Sequence, residues 1–357
     1  MTATTVTRDI AAGVGARLRH RPLAIGLAGV AALVVLLVLG VGFGSVRIGP
    51  LEILGVILQR AFGIDIGVTW SPATEAIVWD LRLPRVLTAM IIGCGLAVAG
   101  ATFQGLLRNP LADPYVLGTA SGAALGAAIA VLLPIQLLFV EFGLLHGLAF
   151  LGALVSAWVV FRLGGTSGSG GLTRLLLTGY AVGSVLAALL TMAMYVSGVE
   201  LRQIFSFLLG GLGGASWTRL LVATPLIVGA CLLIMARSRV LDGLLLGDAA
   251  AGHLGFDVRR ERGILLGLAS MATAAAVAIS GLIGFVGLVV PHVVRLAVGP
   301  QGRRVVPLAA ILGAGLLSAA DLVARLLGDV PVGVVTSLLG APFFLFLLRR
   351  SRSGYEL

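Results

Sequence analysis

Asp321 and Arg325 are the ionisable side chains that come closest to the interior of an apolar run. Their spacing of four residues predicts a local ion pair on a helix. A carrier driven by protons or sodium usually needs acidic or histidine side chains inside the membrane, and the apolar runs hold few of them. This scarcity disfavours an autonomous secondary carrier and indicates that a partner supplies the energy. It also disfavours transport of a naked metal ion, because a dehydrated cation would need oxygen or imidazole ligands.

Other reactive groups are equally sparse. All 25 basic residues are arginine, whereas a Walker A P-loop and Schiff-base chemistry both require lysine. Cys94 and Cys231 lie within apolar runs, without the spacing of a metal or redox site, which indicates packing residues. The four histidines are scattered and predict no metal site. An intramembrane enzyme is disfavoured as well, because no Ser/His or paired-Asp arrangement is visible.

The elements that position these residues are strongly apolar. The 357 residues are 59% hydrophobic and 11% charged, with a mean hydropathy of +1.10, whereas soluble domains carry roughly 25% charged residues. This composition predicts an all-α, polytopic membrane protein. A hydrocarbon core of about 30 Å requires about 20 apolar residues per helix. The predicted spans are residues 22–44, 84–107, 115–133, 143–163, 172–196, 217–236, 263–283, 305–327 and 332–348, with a shorter tenth span at 285–298 that Pro291 interrupts.

The distribution of arginine predicts the orientation of these helices. Residues 1–21 form a polar tail, and the run that follows is too long for the apolar region of a signal peptide and lacks a cleavage pattern. With the N-terminus in the cytoplasm, 18 arginines lie on the cytoplasmic side and 7 lie outside, in agreement with the positive-inside rule. Ten spans then leave residues 22–350 as one membrane domain and residues 351–357 as a cytoplasmic tail. Topology accounts for the net charge of +10, so a nucleic-acid partner is not needed.

Two segments between the spans are more than simple loops. Residues 199–214 are short and glycine-rich, which predicts a half-helix at the outer face. Residues 240–258 form the longest cytoplasmic segment, in which Asp248 and the three alanines after it predict the start of a helix, since acidic residues are favoured there. A ladder of small residues at helical spacing predicts close helix packing in lipid, and its members are Gly93, Ala97 and Ala101.

Four motifs, in order along the chain, resemble the FecCD-type permeases, the membrane subunits of ABC importers for iron(III)-siderophores, haem and cobalamin. The resemblance covers roughly residues 25–350. The motifs are RLPRVLTAMIIGCGLAVAGATFQGLLRNPLADPYVLG at 82–118, GLIGFVGLVVPHVVRLAVG at 281–299, ADLVARLL at 320–327 and PVGVVTSLLGAPFFLFLL at 331–348.

This resemblance implies a permease of about ten helices in the cell membrane, paired with an identical or paralogous permease around a central path. It further implies two cytoplasmic ATPases, which bind ATP and Mg, and a substrate-binding protein outside the membrane. No cofactor is expected in this chain itself.

The resemblance also implies a docking surface at the outer mouth, formed by Arg82, Arg85 and Arg325. Arg82 and Arg85 are three positions apart and are expected on one helix face. These arginines would receive carboxylates from the two lobes of the binding protein, because a guanidinium group pairs with a carboxylate through two parallel hydrogen bonds. Anchoring of the arginines at lipid headgroups is the alternative.

At the cytoplasmic end, the resemblance implies a loop that narrows the path. A non-helical Asn-Pro turn is tolerated there only if it lines a cavity or is buried in protein. A second constriction is expected after the glycine-rich linker at 164–171. The residues assigned to the path and its gate are Gln104, Asn109, Pro110, Leu111 and Thr173.

The stretch LGDAAAGHLG, residues 246–255, resembles the coupling helices that dock in a cleft of the ATPase. An ordinary amphipathic loop helix is the alternative. The residues assigned to coupling are Gly247, Asp248, Ala251, Leu254 and Gly255.

The transported substrate is not evident from a motif. The family often has tryptophan and Gly-Ser in the outer half-helix, whereas this chain reads SFLLGGLGG at 206–214. The longer stretch LRQIFSFLLGGLGG is similar to cobalamin permeases, and GGASW is similar to haem permeases. An iron(III)-siderophore is predicted because such permeases are the commonest members, with cobalamin and haem as alternatives.

Overall fold

The computed structural model describes residues 22–133, 143–165 and 171–351, and all regular structure in these ranges is helical. The predicted terminal tails, apart from Ser351, and residues 166–170 of the glycine-rich linker lie outside the described residues. The helices are α1 Pro22–Gly42, α2 Pro50–Phe62, α3 Pro72–Leu106, α4 Thr119–Leu132, α5 Leu144–Gly164, α6 Gly171–Val196, α7 Leu201–Leu209, α8 Trp217–Ala236, α9 Ser238–Leu245, α10 Asp248–His253, α11 Val258–Ser280, α12 Val286–Val298, α13 Gly302–Leu326 and α14 Val332–Ser351.

Helix α3 is the centre of the bundle. It begins at Pro72, because the Ser71 hydroxyl accepts a hydrogen bond from the Thr74 amide at 3.0 Å, and it passes through a π-helical stretch, Ile77–Arg82. Most of its side chains are buried, with α8, α11, α12 and α13 packed around it. It therefore positions both the predicted docking arginines Arg82 and Arg85 and, at its other end, the predicted gate loop.

The closest helix crossings occur at glycines of α3. A side chain at Gly93 would overlap the carbonyl of Gly313 in α13, and Gly313 also lies against Ala97. Two members of the predicted small-residue ladder, Gly93 and Ala97, are therefore confirmed as contact residues. In lipid, such close backbone approach replaces the hydrophobic effect as the reason for helices to associate.

Gly100→Ala is expected to lower the melting temperature of the detergent-solubilised subunit. The added β-carbon would overlap the carbonyl of Gly287 in α12, and overpacking of this kind costs about 1–3 kcal/mol. Gly229→Ala is the matched control, because Gly229 lies inside α8 with open space around it. Thermal unfolding of the two variants checks the prediction, and equal melting temperatures would contradict it.

Each predicted span coincides with an apolar helix, but the lengths differ from the prediction. In the described part of the chain, seven helices are long and apolar enough to cross a membrane. Three shorter apolar helices, α4, α12 and the apolar part of α14, complete the set. Helix α4 has only 14 residues, because Gly118 adopts a left-handed φ of +72° and separates it from the 3₁₀ turn Pro114–Leu117.

The termini of α11 also depart from the predicted span at 263–283. The helix begins earlier, at Val258, because the Asp257 side chain accepts a hydrogen bond from the Arg260 amide at 3.1 Å. It ends at Ser280, since Gly281 adopts a left-handed φ of +67°. These local interactions, rather than hydropathy, set the helix ends.

Among the described residues, four short helices lie outside the spans, namely α2, α7, α9 and α10. Helix α7 confirms the predicted helix within residues 199–214, and α10 confirms the helix predicted to start at Asp248. Helix α2 was not predicted, because it contains charged residues and is not an apolar run. The Glu52 carboxylate stabilises its start by accepting a hydrogen bond from the Gly49 amide at 2.9 Å.

Candidate translocation and coupling sites

Asp321 is the centre of an arginine cluster beside the end of the π-helical stretch of α3. Its carboxylate lies 2.9 Å from Nε of Arg85 and 3.1 Å from Nε of Arg325, and its side chain is 1% exposed. The predicted pair of Asp321 and Arg325 is therefore confirmed. Arg85 also reaches Asp329, in the loop between α13 and α14, at 2.7 Å. Two acidic and two basic side chains thus join α3 to α13 and the loop that follows it.

The other contacts of this cluster are made to the end of α1. Arg82 donates to the carbonyls of Val41 at 2.8 Å and Val46 at 2.7 Å, and Arg325 donates to the carbonyl of Gly40 at 2.7 Å. The last carbonyls of a helix lack partners within the helix, and positive charge is favourable beside them. Arg82 and Arg325 therefore hold the C-terminal end of α1.

The guanidinium groups of Arg82 and Arg85 diverge although the residues are only three positions apart. Arg82 turns toward α1, whereas Arg85 turns toward α13, because these helices flank α3 at this level. A carboxylate of a docking protein would therefore compete with partners that the chain already supplies. The docking role of Arg82, Arg85 and Arg325 remains a prediction.

A cavity of about 660 Å³ opens beside this cluster. Arg85 and Asp329 form part of its wall, and the glycine-rich turn after α7, residues 210–214, forms another part. Arg219 of α8 also lines the cavity and donates to the Gly214 carbonyl at 2.5 Å. The cavity wall therefore combines charged side chains with the backbone of the glycine-rich turn.

The predicted gate loop, residues 109–111, follows the end of α3 that lies opposite the arginine cluster. Arg85 and Asn109 are separated by 24 positions, which corresponds to about 36 Å at the helical rise. The Asn109 side chain accepts a hydrogen bond from the Leu111 amide at 2.9 Å, so the turn is fixed by its own side chain. Pro110 and Leu111 are exposed, and the gate role of this loop remains a prediction.

Gln104 has a different position from the one predicted for it. Its side chain is 2% exposed and donates to the carbonyl of Leu288 in α12 at 3.0 Å. It also accepts a hydrogen bond from Arg295, a residue of α12 that the sequence analysis did not single out. Gln104 therefore joins α3 to α12 inside the subunit and does not line an open wall. Thr173 is exposed in the first turn of α6.

The coupling segment lies beside the gate loop. Gly247, with a left-handed φ of +116°, precedes α10, whose first residue, Asp248, pairs with Arg108 at 2.6 Å and Arg262 at 2.7 Å. Partial burial alone would raise the pKa of the Asp248 carboxyl. The hydrogen bonds and charges of Arg262 and Arg108 outweigh burial, so this pKa lies below its usual value.

Only part of the face of this segment that is predicted to contact the ATPase is exposed. Leu254 is 59% exposed, whereas Ala251 is fully buried against its own subunit. Gly255 has a left-handed φ of +85° and ends the turn after α10. Ala251 is therefore removed from the surface that could contact a partner, because α10 packs that side against α9 and α11.

The chain is similar to known membrane permeases along most of its length. Residues 32–350 match the model of the FecCD transport family. The chain belongs to this family. It is 43% identical over 309 residues to the hemin transport system permease protein HmuU of Yersinia pestis, an alignment that covers 84% of this chain and 92% of that protein. It is 44% identical over 276 residues to the cobalamin import system permease protein BtuC of Halobacterium salinarum, covering 77% and 74%.

A solved structure supports the same assignment. A metal-chelate type ABC transporter in an inward-facing conformation superposes with a TM-score of 0.80 at 28% identity, over 92% of this chain and 99% of that chain. This FecCD-family chain is therefore a multi-pass protein of the inner (cell) membrane and a transport component, not an enzyme. Members of the family work with ATPase and binding-protein partners.

Four charged residues of these sites were missed in the sequence. Arg295 could have been noticed, because an arginine inside an apolar run marks a functional or structural site. The others lie in polar stretches that carry no such signal, and only the fold brings them to their partners. They are Arg108, Arg262 and Asp329.

Proposed function

We propose that this FecCD-family chain forms the membrane path of an ATP-driven importer, through which an extracellular binding protein passes a bulky metal chelate to the cytoplasm. The observation that carries the proposal is the position of the coupling segment. It lies against the gate loop, joined to it by the pair of Asp248 and Arg108, and it presents the apolar Leu254 to solvent. A permease that takes its energy from an ATPase needs a docking point next to its gate.

The proposed cargo is a metal chelate of the haem or cobalamin class. Two relatives that share more than two fifths of their aligned residues with this chain are named as a hemin permease and a cobalamin permease. The cavity of about 660 Å³ beside Arg85 combines charged groups with apolar walls, which suits a large chelate with polar edges. An iron(III)-siderophore is the alternative cargo. That prediction depends only on how common siderophore permeases are in the family.

The proposed partners are two ATPases, a binding protein and a second permease, either identical or paralogous. ATP and Mg belong to the ATPases, and this chain carries no cofactor. One face of α6 supports a second permease, because it is apolar and includes two tyrosines, which are enriched at protein interfaces. Lipid is the alternative occupant. The side chains of this face are each more than half exposed: Leu177, Tyr180, Val185, Leu189, Met192 and Tyr195.

Reconstitution tests the cargo. The chain is placed in proteoliposomes with its ATPase, and its binding protein is loaded in turn with haemin, cyanocobalamin or an iron(III)-hydroxamate siderophore. We expect ATP-dependent uptake of haemin or cyanocobalamin and no uptake when the ATPase is omitted. Uptake of the siderophore alone would contradict the proposed cargo and favour an iron(III)-siderophore. Uptake of any cargo without ATP would contradict the importer mechanism.

A further inference from the structure

One carboxylate joins three elements at the predicted cytoplasmic end. Oδ1 of Asp248 lies 2.6 Å from Nη2 of Arg108 and 2.7 Å from Nη2 of Arg262. Asp248 begins α10 in the coupling segment, and Arg262 belongs to the first turns of the spanning helix α11. Arg108 directly precedes Asn109 of the gate loop. The coupling segment, a spanning helix and the gate loop therefore meet at a single side chain.

Arg108 is held by the coupling segment through its side chain. In addition to Asp248, it donates from Nε to the carbonyl of Leu244 at the end of α9, at 3.0 Å. Its backbone has a φ of +47°, in the left-handed region that residues other than glycine adopt at a cost. This is the conformation of a helix C-terminal cap, in which the Asn109 amide donates to the Gln104 carbonyl at 3.2 Å. The two side-chain bonds fix the Arg108 guanidinium group to α9 and α10.

The position of Arg108 determines the start of the gate loop. The amide of Asn109, the next residue, donates to the Gln104 carbonyl at 3.2 Å, and the Asn109 side chain fixes Leu111. Two rigid pieces, the end of α3 and the Asn109 turn, thus meet at Arg108.

The two ion pairs of Asp248 differ in burial. The Arg262 side chain is 4% exposed, so its pair with Asp248 is a fixed attachment of α10 to α11. The side chains of Arg108 and Asp248 are 38% and 51% exposed. Exposed pairs add little stability and exchange readily. Arg262 therefore fixes the carboxylate to α11, while Arg108 links the same carboxylate to the gate loop.

We propose that Asp248 is a positioning residue that transmits movement of the coupling segment to the gate loop through Arg108. This inference rests on the proposed docking of an ATPase at α10. When the docked ATPase moves the coupling segment, Asp248 of α10 and the Leu244 carbonyl of α9 carry the Arg108 side chain with them. The turn at Asn109 then changes its angle to α3 and narrows or widens the path.

The test compares Asp248→Asn and Arg108→Gln with Glu261→Gln in the reconstituted complex. Glu261 is the matched control, because it pairs with Arg237 at 3.3 Å at the same end of the bundle without a contact to the gate loop. The measurements are cargo imported per ATP hydrolysed, the amount of ATPase that co-purifies, and the melting temperature. We expect a fall in cargo per ATP of at least about fivefold, the lower bound of typical coupling between sites, for Asp248→Asn and Arg108→Gln. ATPase binding should stay at the wild-type value in both variants. The melting temperature should stay at the wild-type value for Arg108→Gln and fall for Asp248→Asn, which leaves the buried Arg262 without its counter-ion. The control should behave as wild type.

The double variant Asp248→Asn/Arg108→Gln distinguishes a relay from Asp248 through Arg108 from two independent effects. If Asp248 acts through Arg108, the double variant should lose no more coupling than either single variant, and Asp248→Glu should recover part of it. A double variant whose loss is the product of the single losses would overturn the proposal. Loss of the ATPase from Asp248→Asn would also overturn it, by making Asp248 part of the docking surface. If Asp248→Asn does not fold, Arg108→Gln alone decides the outcome, because it leaves the pair of Asp248 and the buried Arg262 intact. Failure of the wild-type chain to bind an ATPase would instead refute the proposed function.

Discussion

Asp321→Asn is expected to cause the largest loss of folded subunit of any single substitution in the arginine cluster. The Asp321 side chain is 1% exposed and faces both Arg85 and Arg325. Asparagine has nearly the same shape and can still accept a hydrogen bond, so the substitution removes mainly the charge. Two mostly buried guanidinium groups would then lack a shared counter-ion, and breaking a buried pair in this way costs about 3–5 kcal/mol. That is a large part of the roughly 5–15 kcal/mol by which a domain is stable.

Asp329→Asn is the matched control for this prediction. Asp329 pairs with the same Arg85 at 2.7 Å, but its side chain is 62% exposed, and exposed pairs contribute about 1 kcal/mol or less. Membrane yield and thermal unfolding in detergent compare the two variants. Equal yield and melting temperature would show that burial of Asp321 is unimportant. Binding of the extracellular protein to Asp329→Asn additionally tests docking, because this variant frees one side of Arg85 for an external carboxylate.

The spans could be predicted from the sequence because the bilayer fixes their length and polarity. Their ends could not, since α4 and α11 end or begin at glycines with left-handed backbone and at a capping aspartate. With 51 glycines in the chain, composition does not reveal which of them adopt a positive φ. Helix α2 was missed for the opposite reason, because an amphipathic helix on a surface leaves no continuous apolar run.

In the candidate site, the sequence predicts the contact between residues close together in the chain and misses the contacts between distant ones. Asp321 and Arg325 are four positions apart, so the helix repeat reveals their pair. Arg85 is 236 positions from Asp321, and Arg295 is 191 positions from Gln104. Only the packing of α12 and α13 against α3 creates these contacts. Sequence therefore indicates which residues are chemically unusual, while the partners that satisfy them come from the fold.

Leu254→Glu is expected to release the ATPase from the complex and abolish uptake, while leaving the subunit folded. Leu254 is 59% exposed at the end of α10, so a charge there meets water in the free subunit. In the proposed complex, the same side chain fills a cleft of the ATPase. An anchor residue of this kind contributes about 2 kcal/mol or more to binding, which corresponds to at least about 30-fold in affinity.

Leu254→Met is the control for this site, because it keeps an apolar side chain of similar volume and should retain most binding. Each variant is purified from membranes with the ATPase, and the ratio of the two proteins is measured together with uptake. Retention of the ATPase by Leu254→Met and its loss from Leu254→Glu would identify an apolar docking contact. Unchanged co-purification and uptake for Leu254→Glu would show that α10 is an ordinary amphipathic loop helix. The proposed relay from Asp248 to Arg108 would then have no source of movement, so this substitution tests the first step on which the coupling mechanism depends.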